Sequence, residues 1–261
     1  MKPLLKSSFN FFLGSLTAKM VASSTAIMLL CAFMTKPVGA EVPSFTDVNA
    51  DVYAQEIQEA VQKGLIAGFT SNNTFRPTLE LTREQMISMV INMLSKLPVS
   101  SATVPHDPPP AAGNLLKVTN KPFRDVNATR WSAAMIEWAK LNGIMQGYSD
   151  GTFRPTQTVT RAELMAVLRK AIQYADEGGG ISGMVNKQQP IAFSDISNHW
   201  AKKTITEMSV YCGVATPVNE TGNAFSPNLG TRRNYAAAAT LRLLNCLRGV
   251  ETKTKTIKIK I

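Results

Sequence analysis

Three Thr-Arg pairs recur along the chain: Thr82-Arg83, Thr160-Arg161 and Thr231-Arg232. Each stands at the start of an apolar periodic run. There a threonine caps a helix by accepting a backbone amide. An arginine in the next position brings a planar, bidentate fork to a helix N-terminus that already favours anions. Arg83, Arg161 and Arg232 therefore suit carboxylate chemistry. They equally suit a structural role, tying adjacent segments together through carboxylates. Asp47, Asp125 and Asp195 also recur, but not as paired catalytic carboxylates. Each precedes a helical pattern, where an aspartate caps backbone amides, and is read as structural. Thr82, Thr160 and Thr231 complete the set of expected caps.

Other chemistry has little material. The two histidines, His106 and His199, come with no cysteine-histidine cluster that would hold zinc. The loop around Asp150 lacks the alternating oxygen ligands of a calcium site. There is no Gly-x-Ser-x-Gly elbow and no phosphate-binding loop. A repeated sequence also argues against catalysis, which usually needs one asymmetric constellation. Neither an enzyme nor a cofactor is expected.

The elements that must position these residues repeat with them. Phe-x-Asp-Val/Ile occurs at Phe45-Thr46-Asp47-Val48, Phe123-Arg124-Asp125-Val126 and Phe193-Ser194-Asp195-Ile196. Phe-x-Pro occurs at Phe75-Arg76-Pro77, Phe153-Arg154-Pro155 and Phe225-Ser226-Pro227. With Thr-Arg as the third landmark, every one moves by 78 from the first copy to the second, then by 70, 72 and 71.

Each copy reads as helix, loop, helix. In the second, Trp131, Met135, Ile136, Ala139 and Ile144 form an apolar helical stripe, ended by Gly143. Gly147 to Thr152 is turn chemistry, and Pro155 forbids helix just before it. Thr160 and Glu163 then form a capping box ahead of the stripe Leu164, Val167, Leu168, Ala171 and Ile172. The first copy repeats this with Thr82 and Gln85. The third has lost the Asp-Gly turn and carries Asn234 where a glutamate is expected.

The resulting division is a leader at 1–40, repeats at 42–97, 123–175 and 193–250, and linkers at 98–122 and 176–192. The first linker centres on Pro108-Pro109-Pro110 and the second opens on Gly178-Gly179-Gly180. Residues 251–261 alternate lysine with threonine or isoleucine, and read as a basic tail or a single strand.

The leader has four lysines, no acid and an apolar run from Val21 to Met34. That run is too short to span a bilayer comfortably. It ends in Val38-Gly39-Ala40, so a secretory signal peptide cleaved after Ala40 is expected. An uncleaved anchor is the alternative. Leu30 before Cys31 is bulky, which disfavours lipid attachment there. No other stretch is long and apolar enough for a spanning helix.

The net charge is +10, of which +6 lies beyond the leader. That balance favours acidic partners, and export excludes nucleic acid as the natural one. Cys212 and Cys246 are either a disulfide or two buried thiols. A disulfide there would close a loop of about 34 residues and contribute ~3–4 kcal/mol.

One helix pair of this size cannot bury enough apolar surface alone. Three pairs close into a pseudo-threefold bundle or stack as an open solenoid. The run Gly143 to Pro155, with Thr160-Arg161-Ala162-Glu163, resembles an S-layer homology repeat. The resemblance is strong in the second copy, good in the first and degraded in the third. It implies an all-α fold of three helix-loop-helix repeats in a pseudo-threefold prism. It also implies grooves that bind anionic, often pyruvylated, cell-wall polysaccharide.

Carried over by position, Arg83, Arg161 and Arg232 become ligands for the acidic substituent. Trp131 and Trp200 resemble the groove-lining tryptophan of the family, whose ring face stacks on a sugar. Both also suit a plain core. The first copy has no tryptophan there, and Tyr53 is the nearest aromatic. The expected function is non-covalent wall binding by an exported protein of the wall, periplasm or cell surface. Its partner is then an anionic cell-wall polysaccharide or peptidoglycan-linked polymer. A protein-protein scaffold, with another envelope protein as partner, is the alternative. Open clefts at Arg83 and Arg161 would favour the first reading, and buried partners there the second.

Overall fold

The computed structural model describes residues 45–97, 115–177, 188–217 and 222–249. The expected leader, the basic tail and most of both linkers lie outside these residues. Six helices occur among them: α1 (Ala54–Gln62), α2 (Arg83–Leu94), α3 (Ala133–Leu141), α4 (Arg161–Glu177), α5 (Lys202–Val210) and α6 (Arg233–Leu247). None of these is long and apolar enough to cross a membrane.

Each repeat supplies one outer and one inner helix. The inner helices α2, α4 and α6 pack on one another. Each outer helix packs on the inner helix of a different repeat: α1 on α6, α3 on α2 and α5 on α4. No repeat therefore buries its own apolar stripe, which is why one pair would not stand alone. α6 is buried nearly all round, and its run Ala236 to Ala239 lets neighbours approach closely.

A ring of backbone hydrogen bonds joins the three repeats. The Leu81 amide donates to the Thr231 carbonyl (2.8 Å), the Thr231 amide to Val159 (2.7 Å), and the Val159 amide to Leu81 (3.0 Å). A second cycle lies just outside it. The amides of Arg83, Arg161 and Arg233 donate to the carbonyls of Gln157, Leu229 and Leu79, at 2.9, 3.0 and 2.9 Å. Burying these amides without partners would be costly, so the cycles satisfy the inner helix starts from neighbouring chain.

The landmark residues meet within each repeat. Phe45 packs on Phe75, Phe123 on Phe153 and Phe193 on Phe225, with ring centroids 5.7, 5.3 and 5.3 Å apart. Gly68 and Gly147 lie against Phe45 and Phe123, where a Cβ would collide with the ring. The aspartates do not cap helix starts as expected. Asp47 accepts from the amides of Phe75 and Arg76, Asp125 from Phe153 and Arg154, and Asp195 from Phe225 and Ser226, all at 2.7–2.8 Å. Each carboxylate therefore staples its own Phe-x-Pro strap, 28 to 31 residues away.

The staple explains the backbone there. Arg76, Arg154 and Ser226 have φ of 57°, 56° and 56°. Left-handed backbone is costly for residues other than glycine. Two amide bonds to a carboxylate offset that cost.

Cys212 and Cys246 form a disulfide with Cα atoms 6.0 Å apart, joining the ends of α5 and α6. Of the two readings of this pair, the thiol one is set aside.

Candidate functional site

The three inner helices begin in comparable surroundings. At α2, the Thr82 hydroxyl accepts from the Gln85 amide while the Gln85 side chain accepts from the Thr82 amide. At α4, Thr160 and Glu163 make the same reciprocal pair, at 3.2 and 2.8 Å. At α6 the pattern breaks. The N-cap is Arg232, whose side chain makes no capping bond.

Thr231 is not a cap. It sits in register with Leu81 and Val159, fully buried, and its hydroxyl has no hydrogen-bond partner. Arg232, expected as a ligand arginine, stands in the register of Thr82 and Thr160 and is exposed. The residue equivalent to Arg83 and Arg161 is Arg233. Its shift from Arg161 is 72, the same as the shift of the neighbouring Phe-x-Pro. That equality was the available signal in the sequence.

The three register-matched arginines are buried. Arg83 is 5 % exposed, Arg161 1 % and Arg233 4 %. Arg83 donates through Nε to the Phe153 carbonyl (2.8 Å) and through Nη2 to Gln146 (3.2 Å), beneath the rings of Tyr148 and Phe153. Arg233 repeats this on Phe75 (2.9 Å) and Ala67 (2.6 Å), against Phe69 and Phe75. Arg161 lies 3.9 Å from the Tyr235 ring centroid and 5.1 Å from that of Phe225.

Burial lowers the Arg83 guanidinium, and pushes that of Arg233 down to about 10, which still leaves it charged at neutral pH. The expected assignment of Arg83 and Arg161 as polymer ligands is therefore corrected. These groups are enclosed, and Arg83 is spent on carbonyls of the next repeat. The sequence-level alternative invoked carboxylates, whereas Arg83 and Arg233 are held by backbone carbonyls and aromatic faces.

The exposed position lies one residue before the outer N-caps Tyr53, Ser132 and Ala201. It is Trp131 in the second repeat and Trp200 in the third, 56 % and 68 % exposed, so neither is a core residue. In the first repeat the same position is Val52, 49 % exposed. Tyr53 is fully buried against Tyr235 and is not a counterpart of the tryptophans.

Each exposed position flanks a seam between an outer helix and the inner helix beneath it. At the α2/α3 seam, Arg130 grips the buried Glu84 with two bonds of 2.7 and 2.8 Å, and the Ser132 hydroxyl donates to Glu84 at 2.6 Å. The hydrogen bond to Glu84 raises the Arg130 guanidinium. At the α6/α1 seam, the Asn234 amide donates to Asp51 at 2.9 Å. At the α4/α5 seam the inner residue is Ala162, and His199 bonds instead to Asn228 (3.0 Å) and accepts the Ala201 amide on Nδ1 (3.1 Å). That places the His199 proton on Nε2. An open depression of about 640 Å³ beside the α6/α1 seam is lined by Asp47, Arg76, Pro77, Thr78 and Leu79.

Among the described residues no group of three or more His, Cys, Asp or Glu could hold a metal ion. The arrangement offers aromatic faces and charged seams for non-covalent binding.

Comparisons with known proteins match this chain to proteins of the bacterial cell surface. The S-layer homology domain family model matches residues 44–87 and 122–165, covering the first two repeats up to the start of each inner helix. The chain is 27 % identical over 172 residues to a cellulosome-anchoring protein of Acetivibrio thermocellus, covering 64 % of this chain and 33 % of that one. It is 25 % identical over 220 residues to S-layer protein EA1 of Bacillus anthracis, covering 84 % and 22 %. It is 26 % identical over 245 residues to the surface-layer 125 kDa protein of Lysinibacillus sphaericus, covering 92 % and 18 %. The chain thus spans a third or less of the length of these relatives.

Proposed function

We propose that this chain is an exported wall-binding module that holds anionic cell-wall polysaccharide non-covalently and so anchors or organises the bacterial envelope. In this reading the three repeats form one closed, three-lobed all-α prism, and the third repeat belongs to the same series as the two matched ones. The acidic sugar bears a ketal-linked pyruvate. Burial of Arg83 and Arg161 is the outcome that favours the scaffold and removes these arginines as ligands; wall binding rests instead on the pair of exposed tryptophans, Trp131 and Trp200, each one residue before an outer N-cap beside a seam. An exposed ring at a seam offers a flat face for a sugar, and a basic chain attracts an acidic polymer. The closed cycle of backbone bonds supports the prism, and the matched S-layer homology segments support the anchoring role. Weak sites on one rigid body would add avidity along a repeating polymer.

Co-sedimentation with purified sacculi tests this. The protein is expected to pellet with intact walls and to stay in solution with walls stripped of acidic polymer. The double variant Trp131→Ala, Trp200→Ala is expected to lose most of its retention. Equal retention on intact and stripped walls, or none, would sink the reading and leave the envelope scaffold in front.

A further inference from the structure

The outer helix of the third repeat ends unlike the other two. Counted from the N-caps Tyr53, Ser132 and Ala201, the register of Gly64 and Gly143 (both φ 67°) is taken there by Cys212, at φ 54°. Glycine adopts left-handed backbone freely, whereas any other residue does so at a cost. The turn is also longer. The Leu65 amide returns to the Ala60 carbonyl and the Ile144 amide to Ala139, both at 2.9 Å. The carbonyl in the same register, that of Met208, is reached only by the Ala215 amide (3.1 Å), two residues later. Cys246 of α6 pins this turn through the disulfide. Among the described residues α5 packs on α4 and not on α6, whereas α6 packs on α1, α2 and α4.

The carbonyls of the lengthened turn hold two buried side chains of α6 that also reach the first repeat. Arg242 donates through Nη1 to Thr216 (2.6 Å) and Gly213 (3.4 Å), and through Nη2 and Nε to Glu56 of α1 (2.6 and 3.2 Å). The Tyr235 hydroxyl donates to the Ala215 carbonyl (3.0 Å), while its ring lies edge-on to that of Tyr53, the N-cap of α1, with centroids 6.2 Å apart. The turn that carries Cys212 thus positions both groups at the α6/α1 seam, where the first repeat meets the third.

We propose that the Cys212–Cys246 bond is a redox latch on the α6/α1 seam, opened by a dithiol reductant. Oxidised, it holds the 212–216 turn, and the turn aims Arg242 and Tyr235 at α1. Reduced, Cys212 leaves its left-handed conformation, the carbonyls withdraw and this seam loosens first. The α2/α3 seam, tied by Arg130 and Glu84, shares none of these groups. The step is thiol–disulfide exchange. A thiolate of the reductant attacks Sγ of Cys212, the half-buried sulfur, and Sγ of the buried Cys246 leaves as a thiolate that takes up a proton. The second thiolate of the reductant then displaces Cys212, which takes up the other proton. The reductant ends as a disulfide and the protein as two thiols. The latch acts on the fold and is independent of what the chain binds.

Hydrogen exchange of the full chain, followed peptide by peptide with and without dithiothreitol, tests this. Mass after thiol alkylation reports that the bond is open. Losing a cross-link speeds every amide that exchanges through global unfolding, so the readout is the difference between two outer helices. Reduction is expected to accelerate α1 about tenfold more than α3, the scale set by one left-handed residue. Cys212→Ser, Cys246→Ser is expected to match the reduced protein and to ignore dithiothreitol. Cys212→Gly, Cys246→Ser supplies the residue that the other two repeats use, and is expected to shrink the excess at α1 about threefold or more. Equal acceleration of α1 and α3, no acceleration in either the reduced protein or the serine variant, or a glycine variant no better protected at α1 than the serine one, overturns the latch.

Discussion

The second and third repeats share their backbone ties but differ in the side chains around them. In the second, α4 starts on a Thr160–Glu163 capping box, and the outer helix is tied to α2 by Arg130 and Glu84. In the third, α6 starts on an uncapped Arg232, a buried threonine sits in the ring of backbone bonds, and the outer helix meets Ala162 and is tied to α4 by Arg169 and Glu207. What both keep is the aspartate staple, the paired phenylalanines and the cyclic amide bonds. What the third adds is the disulfide between the ends of α5 and α6. Backbone satisfaction is thus the conserved requirement between repeats, and side-chain caps can be exchanged for a covalent tie.

The largest expected effect comes from removing that tie. Cys212→Ser should cost ~3–4 kcal/mol, the chain-entropy value for a loop of this length, and reductant should reproduce it in the unaltered protein. Denaturant unfolding checks this, and a loss near zero would show that the third repeat does not depend on the bond.

Next is the Arg130–Glu84 pair. Arg130→Ala leaves a buried carboxylate without its main partner and should cost ~3 kcal/mol, whereas His199→Ala at the matching position leaves no buried charge and should cost ~1 kcal/mol. Equal costs would break the contrast between the seams.

The inner helix starts differ more finely. Thr160→Ala should lose ~1 kcal/mol through its cap. Thr231→Val should gain ~1 kcal/mol, because it replaces an unpartnered buried hydroxyl in a register that otherwise holds Leu81 and Val159. Thermal melting of both variants decides whether the ring position and the cap behave oppositely.

The smallest effect is in acid. Burial works to raise the Asp47 carboxyl, but the amides of Phe75 and Arg76, its own backbone and Arg233 outweigh it and hold it below 3.8. Asp150 is held at about 2 by the hydroxyl and amide of Thr152, with Arg154 adding to them. A carboxyl lowered by folding contributes stability that is full above its unfolded value and lost as pH falls through its folded one. The melting temperature should therefore hold from neutral pH to above 3.8 and fall below it. Asp47→Asn should flatten that fall.

Much of this was legible because the landmarks are periodic. The Phe-x-Asp and Phe-x-Pro motifs marked residues that meet within each repeat, and Thr160 with Glu163 marked a helix start. Side-chain direction was not legible. An arginine just after a cap reads the same whether it faces solvent or the carbonyls of a neighbouring repeat, as Arg83 does. The Arg232-Arg233 doublet hid a one-residue slip, although the spacing to Phe225 contained the answer. Asp47, Asp125 and Asp195 reach a strap far along the chain, and local sequence gives no sign of such a bond. In the first repeat, Tyr53 drew attention as the aromatic, while the exposed register belonged to Val52.

The most direct measurement is acrylamide quenching of tryptophan fluorescence during titration with released wall polymer. Trp138, half-buried against Tyr174, serves as the internal reference among the three tryptophans. The account predicts saturable protection of Trp131 and Trp200, lost when both are replaced. Binding to walls with both tryptophans still fully open to quencher would contradict it and place the contact elsewhere on the molecule.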